Sequence, residues 1–450
     1  MASTRKGAPD PAGRVAACLA RHLPRGGRLW VGYSGGLDSS VLLYLLAGLR
    51  QAHGYSLNAI HVHHGLSPHA DDWARHCEQV CRRLDVPLRV EPVRVVADGA
   101  GPEAAARAVR YAVFSRLPAD ALALAHHRDD QAETVLGQLL RGAGAKGLAA
   151  MPEARALADG HILLLRPLLA TSRSDLEEWA RSRGLEWVED ESNRSTHLTR
   201  NALRHDILPL IESHLPGAGA NLARAAGRFA ETARLLDDLA DLDAQGAVGD
   251  AGLEIAHLAT LPEPRARNLL RRYLERAGAE LHPERLREGL RQLLEARDET
   301  QMALRFGPVE LRRHRGRALA VPVAREPVAG LDAPQLWRGE PRLDLGESGL
   351  LEFQRVERGG LGLDGSEVTL RRRRGGENFR PDAKRPRRPL KDWLREAGIP
   401  PWQRERLPLL FVGERLAWVA GLGMDIDCRA KPGEPGWQLA WRPTSPDRTW

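Results

Sequence analysis

The sequence predicts an α/β protein: a doubly wound parallel sheet over the first two hundred residues, then a helical domain, then a small α+β domain. Three observations carry this. Short apolar runs alternate with stretches of helical periodicity up to about residue 200, as in parallel strands joined by crossover helices. From Leu215 to Arg297 the text turns Ala-, Leu- and Arg-rich with helical spacing. After Arg305 short alternating segments appear, punctuated by Gly and Pro. We expect domains at 1–214, 215–325 and 326–450, the last beginning with a linker that runs to about Leu345. A chain of 450 residues, 42% apolar, gives each of them enough side chains for its own core.

In order, the apolar run Arg28–Tyr33 reads as strand and Ser39–Arg50 as helix, followed by strand Leu57–His63 and helix Asp71–Leu84. Strand Leu88–Val96, helix Pro102–Leu117, strand Ala121–His126 and helix Asp129–Leu140 continue the alternation. Leu163–Pro167 is a candidate last strand and Ser174–Arg183 a helix. Asn221–Leu239 and Arg265–Ala277 have the clearest helical spacing of the middle segment.

Composition excludes several classes. The longest apolar run, Val41–Leu49, is about half the roughly 20 residues a spanning helix needs, so no membrane partner is expected. No apolar segment follows Arg5, Lys6 and Arg14 as a signal peptide would require, which predicts a cytoplasmic protein. The four cysteines are too scattered for a disulfide framework. The formal charge is +7, with 61 Arg against 5 Lys. Between Arg371 and Arg395 eleven basic residues face three acidic ones, a local +8 that leaves the rest of the chain near −1. A surplus held in one segment points to an anionic partner docking there.

The strongest local signal is Gly32-Tyr33-Ser34-Gly35-Gly36-Leu37-Asp38-Ser39-Ser40, between an apolar strand and an apolar helix. A turn through Ser34, Gly35 and Gly36 can aim backbone N–H groups at one spot, with the hydroxyls of Ser39 and Ser40 and the helix dipole beside it. Such a nest suits a pyrophosphate, and Asp38 could hold Mg²⁺ bridging the phosphates. The same residues fit the GxSxG elbow of a hydrolase, with Ser34 as nucleophile, but only about thirty residues precede them where that fold needs several strands. A Gly-rich turn without a ligand is the plain alternative. Gly142–Gly147 matches GxGxxG but follows a helix, so it fails the context that a dinucleotide site requires. Cys77, Cys81 and His76 offer too few ligands on one helix face for a metal.

Strand one resembles the SGGxDS loop of the N-type ATP pyrophosphatases, and further segments narrow the match. These are His61-Val62-His63-His64-Gly65-Leu66-Ser67, Glu103-Ala104-Ala105-Ala106-Arg107-Ala108-Val109-Arg110-Tyr111, and Ala125-His126-His127-Arg128-Asp129-Asp130-Gln131-Ala132-Glu133-Thr134. Arg166-Pro167-Leu168-Leu169, Glu189-Asp190-Glu191-Ser192-Asn193 and Arg200-Asn201-Ala202-Leu203-Arg204 complete the set. Together they are similar to the tRNA(Ile)-lysidine synthetases. Arg373-Arg374-Gly375-Gly376-Glu377, Pro389–Leu394 and Ile399–Arg404 resemble the final domain of that family's longer members. Thr199 stands where the family often has an acid, which removes any carboxylate role there.

The resemblance implies a Rossmann-like PP-loop domain and a ligase forming a C–N bond. Its expected substrates are ATP with Mg²⁺, free L-lysine and a minor tRNA(Ile) with a CAU anticodon, with a homodimer left open. The implied reaction joins the lysine ε-amine to C2 of the wobble cytidine through an adenylated intermediate, and so changes codon reading from AUG to AUA. On this reading Ser34, Gly35, Gly36, Leu37, Asp38, Ser39 and Ser40 hold the nucleotide, with His63 and His64 near phosphate. Asp130 and Glu133, three residues apart on one helix face, form a cage for an ammonium group or supply a base. Arg107 and Arg110, at the same spacing, suit a carboxylate or phosphates. His127, Arg200 and Asn201 are further candidates for contact with substrate. Arg371, Arg372, Arg373, Arg374, Lys391 and Trp402 are expected to meet the tRNA. A thiolase or amidating ligase of the same superfamily, and a nonenzymatic RNA-binding protein, are the rival readings.

Overall fold

The computed structural model describes residues 10–65, 67–95, 102–189 apart from 158 and 159, 199–296 apart from 250, 302–323, and 331–443 apart from 332 and 364. The chain forms two compact units, residues 1–235 and 236–450.

The first unit contains α1 (Pro11–His22), β1 (Arg28–Gly32), α2 (Leu37–His53), β2 (Ser56–His63), α3 (Ala70–Arg83) and β3 (Leu88–Pro92). It continues with α4 (Pro102–Phe114), β4 (Ala121–Ala123), α5 (Arg128–Leu140), α6 (Ala145–Leu148), β5 (Ala154–Leu157), β6 (Ile162–Leu165) and α7 (Arg173–Ser182). The sheet order is β3-β2-β1-β4-β6-β5, parallel except for β5. Strands β1 and β4 are apolar without alternation because both sheet faces are covered. Val15, Leu19, Leu42, Leu46, Cys77 and Leu176 pack one face, and Phe114 and Leu117 pack the other against Trp30, Ile60 and Leu164. Helix α1 lies outside the expected elements, although Asp10 caps its first amides and Pro11 stands at its first position. Strands β3 and β4 end earlier than the apolar text suggests. Past them the chain leaves the sheet at its carboxyl edge, where α5 begins. Beyond α7 come α8 (Thr199–Ala202), a π-helical turn at Leu203–Ile207 and α9 (Leu208–His214).

The chain passes into the second unit within α10 (Ala218–Asp243). There β7 (Val248–Gly249), β8 (Gly252–Glu254), α11 (Ile255–Thr260), α12 (Glu263–Arg276) and α13 (Pro283–Glu295) precede β9 (Ala303–Phe306), β10 (Val309–His314) and β11 (Arg317–Pro322). Those strands form an antiparallel sheet, β7-β8-β11-β10-β9, against which Leu270, Leu274, Leu290 and Leu293 pack beside Phe306 and Leu311. The middle segment thus joins its helices to a sheet. Two of its strands have only two and three residues, too few to show an alternation.

The remainder has β12 (Gln335–Trp337), β13 (Arg342–Asp344), β14 (Leu350–Val356), β15 (Val368–Arg371), β16 (Asn378–Phe379), β17 (Arg388–Pro389) and α14 (Leu390–Glu396). After these come α15 (Pro401–Arg404), β18 (Leu409–Val412), β19 (Arg415–Val419), β20 (Gly423–Met424) and β21 (Gly436–Arg442). Their core is built on Phe379, Trp393, Leu410 and Trp418. No helix among the described residues is long and apolar enough to cross a membrane.

Candidate functional site

The loop between β1 and α2 is closed by its own serines. Ser34 Oγ and Ser39 Oγ lie 3.0 Å apart, Ser34 N donates to Ser39 Oγ at 3.3 Å, and Ser39 Oγ donates to Gly36 O at 3.0 Å. Gly35 has φ +85°, and a Cβ there would meet Val188 Cγ2 at 3.0 Å and Cys77 Sγ at 3.1 Å, so the turn needs glycine. Gly36 caps α2 with no side-chain hydrogen bond, which leaves the first-turn amides and the positive end of a 17-residue helix without a capping group. Ser40 departs from expectation. It is buried, its amide donates to Gly36 O and its hydroxyl to Gly35 O and Tyr33 Oη, so it braces the loop from within.

Beside this loop, the heads of α2 and α5 meet. His127 is 1% exposed and caps α5, its Nδ1 accepting from the amides of Asp129 and Asp130 at 3.2 and 3.4 Å. Its Nε2 lies 3.7 Å from Asp38 Oδ2 and 3.5 Å from Asp130 Oδ2. Burial opposes a charge on this ring, but Asp129, Asp130 and Asp38 outweigh it and raise its pKa. Burial likewise raises the Asp38 carboxyl against the pull of His127 and Arg173. Asp38 Oδ1 is buried with no hydrogen-bond partner.

Asp130 and Glu133 share one face of α5, as their spacing predicts, and a guanidinium fills the space between them. Arg204 Nε donates to Glu133 Oε1 at 2.5 Å, and its Nη2 donates to Glu133 Oε2 at 3.1 Å and to Asp130 Oδ1 at 2.6 Å. The π-helical turn supplies Arg204, widening the helix where the side chain enters. The sequence set Arg204 in its motif without its partner, because the 71 residues to Glu133 hide the contact.

The remaining candidates of this unit separate. His63 Nε2 lies 2.9 Å from Asp71 Oδ1. His64 lies 3.4 Å from Arg110 Nη2, and burial together with Arg110 pushes its pKa down to about 4. Arg107 turns elsewhere, donating from Nη2 to Tyr111 Oη at 3.2 Å. Arg200 and Asn201 lie on α8, but the Arg200 side chain falls outside the described residues, as does 190–193 of the Glu189–Asn193 motif. Burial raises the Cys77 thiol and lifts that of Cys81 to about 12, so neither is a ready thiolate.

In the second unit much of the basic surplus is matched locally. Arg371 and Arg373 lie 3.5 and 3.6 Å from the buried Glu377 carboxylate. Arg385 and Arg388 pair with Glu396, and Arg387 with Asp425 and Asp427 at 2.8 Å each. Arg371 also stacks 3.8 Å over Phe411. Arg372 is half-buried, whereas Arg374, Lys384, Lys391 and Arg395 are exposed, and these four form no ion pair among the described residues. Trp402 is only partly exposed. Arg312 lies 4.7 Å from its ring centre and His314 meets it edge-on at 5.7 Å.

Comparison with known proteins agrees with this architecture. Residues 13–211 match the family model described as PP-loop domain, residues 253–319 the TilS substrate binding domain, and residues 368–441 the TilS substrate C-terminal domain. A protein of Nitrosomonas europaea called tRNA(Ile)-lysidine synthase is 42% identical over 428 residues, covering 93% of each chain. Its namesake from Chromobacterium violaceum is 46% identical over 424 residues, covering 92% of this chain and 95% of the relative. A PP-loop domain over residues 13–211 and relatives of 42% and 46% identity matched along nearly their whole length agree: the chain belongs to the tRNA(Ile)-lysidine synthase family.

Proposed function

We propose that this protein uses ATP to join L-lysine to C2 of the wobble cytidine of a tRNA(Ile) with a CAU anticodon, in the cytoplasm. The observation that carries this reading is the meeting of Asp38, His127 and Asp130, which unites the phosphate loop and the carboxylate pair in one cluster. The cytosine oxygen attacks the α-phosphate of ATP and pyrophosphate leaves. The lysine ε-amine then adds to C2, and that oxygen departs with AMP.

Ser34, Gly35, Gly36, Leu37 and Ser39 hold the pyrophosphate through loop amides, a hydroxyl and the α2 dipole. The orphaned Asp38 Oδ1 suits a hard cation, and Mg²⁺ is commonly held by one or two carboxylates plus phosphate oxygens. Bound there, the ion would neutralise charge on the leaving pyrophosphate. Asp130 and Glu133 receive the lysine ammonium, for which the Arg204 guanidinium, of the same charge and on the same acceptors, stands in here. One of them takes the proton that frees the amine. His127 keeps the heads of α2 and α5 in register, and His63, His64, Arg107 and Arg110, which stand apart from that cluster, are assigned to phosphate or carboxylate groups of the substrates. Arg200, Asn201, Arg371–Arg374, Lys391 and Trp402 serve the tRNA, the last by supporting the surface it is packed into. We retain 1–214, 215–325 and 326–450 as working domains, a division supported by the separate sheets of these segments.

The test is nucleoside analysis of the tRNA after incubation with ATP and radiolabelled lysine. Lysidine should form, with AMP and pyrophosphate released only when lysine and the CAU-anticodon tRNA are both present. Release without lysine in the RNA would sink the reading.

A further inference from the structure

Three arginines of the first unit gather on one tyrosine. Arg107 comes from α4, Arg155 from the edge strand β5, and Arg166 directly follows β6 at the carboxyl edge of the sheet. Arg107 donates to Tyr111 Oη, and the guanidinium carbons of Arg107 and Arg155 lie 4.9 and 5.4 Å from the Tyr111 ring centre. Arg166 is 2% exposed; its Nη1 donates to Pro152 O at 2.8 Å, and its Nε is buried with no partner. Among the described residues, none of the three forms an ion pair with a carboxylate. Elsewhere in the unit buried arginine charge is matched, as Arg204 is by Asp130 and Glu133.

A buried guanidinium without a counter-ion is unfavourable, and two further cations beside it add repulsion. Burial and the neighbouring Arg155 and Arg107 charges lower the Arg166 pKa. Burial alone would raise the Tyr111 phenol, yet Arg107, Arg155 and Arg166 together hold it below its ordinary value. An anion relieves every one of these effects.

We propose that Arg107, Arg155 and Arg166, with the Tyr111 hydroxyl, form an oxyanion site that takes a carboxylate or phosphate group of a substrate, with Arg166 as its buried floor. The site connects to the head of α5. Pro152, which accepts from Arg166, follows Met151, whose amide and carbonyl bond the Gln131 side chain at 3.0 and 2.8 Å, next to Asp130. Filling the site therefore bears on the carboxylate that faces Arg204. The source of the anion rests on the function proposed above: the carboxylate of lysine or a backbone phosphate of the tRNA.

The experiment compares the full chain with Arg155→Ala, a change at the exposed rim, and with Arg166→Lys, which keeps the floor charged. With the α2 loop saturated by pyrophosphate, inorganic phosphate titrated by calorimetry should bind the wild type, and Arg155→Ala should weaken that binding at least about tenfold. A matching rise in lysine KM at unchanged tRNA Kd identifies the carboxylate; a rise in tRNA Kd at unchanged lysine KM identifies the backbone phosphate. Wild-type behaviour of both variants towards phosphate, lysine and tRNA overturns the site. A wild type that binds phosphate as described but makes no lysidine supports the site and sinks only the activity.

Discussion

Replacing Arg204 by Ala tests the carboxylate cage most directly. The substitution removes three hydrogen bonds and the counter-ion of two carboxylates whose side chains are 3% and 9% exposed. Stripping one partner from a buried ion pair costs about 3–5 kcal/mol, and the 24% exposure of the Arg204 side chain argues for the lower end, about 3 kcal/mol. For a unit of this size each kcal/mol moves Tm by about 2–4 °C, so the first unit should melt about 6–12 °C lower. Arg204→Lys, which keeps the charge and loses the fork, should recover part of this. Free lysine provides the decisive readout. At about 100 times its Kd a ligand adds about 2.7 kcal/mol to a protein it fits. In Arg204→Ala the two carboxylates lose one cationic partner that the lysine ε-ammonium can replace, so lysine should stabilise this variant more than the wild type, and norleucine, which lacks the ε-ammonium, should not. A melting point within about 1 °C of wild type would show that the pair contributes little. Equal stabilisation of the variant by lysine and norleucine would refute the cage.

Other expectations concern separate parts of the molecule. Because the folded His127 pKa lies above its ordinary 6.5, the stability it contributes is complete below that value and fades as pH rises through the folded value; in a pH series of urea unfolding curves, His127→Gln should flatten the decline. Gly35→Ala forces a Cβ into a left-handed position at a cost of about 1–2 kcal/mol and onto Val188 and Cys77, so ATP affinity should fall in a nucleotide titration while α2 helicity persists. Arg374→Glu with Lys391→Glu should weaken tRNA binding and reduce its log–log salt slope by about 1 per lost phosphate contact, at unchanged Tm. Arg387→Ala should instead lower stability first, by about 1–3 kcal/mol, because Asp425, 1% exposed, loses its charged donor.

The parallel sheet was legible because β1, β4 and β6 are largely apolar runs set between stretches of helical spacing, as Leu29, Val31 and Leu42 show, whereas β3 alternates with Arg89 and Glu91 and was read from its place in the order. Helix α1 had a readable start, Asp10 followed by Pro11, and a stripe of Pro11, Val15, Cys18 and Leu19 at helical spacing, but it lies ahead of the first strand, where the alternation was first followed. Strand β5 has four residues, two of them exposed, and β7 and β8 are shorter still, so pairing rather than pattern defines them. Within the site, local geometry could be read and distant geometry could not. The three-residue step from Asp130 to Glu133 fixes a shared face on any α-helix. Nothing local announces that Arg204 will reach that face, or that Arg155 and Arg166 will flank Tyr111. The charge count between Arg371 and Arg395 was correct as arithmetic, yet it could not reveal that Glu377, Glu396, Asp425 and Asp427 are folded against it.

Those internal acids have a further consequence. A cationic stretch with nothing to hold it would be a loose arm, ordered only when its partner arrives, and would lose conformational entropy at that moment. Here the pairs to Glu377, Glu396 and Asp425 fasten the stretch to β15, to the end of α14 and to the residue that follows β20 beforehand. It is held as a template would be, and a partner docking there would meet cations whose spacing is already set. Association should therefore carry the small heat-capacity change of rigid docking, without the large one that accompanies folding on contact. The same acids that subtract from the net charge give the remaining cations a fixed shape.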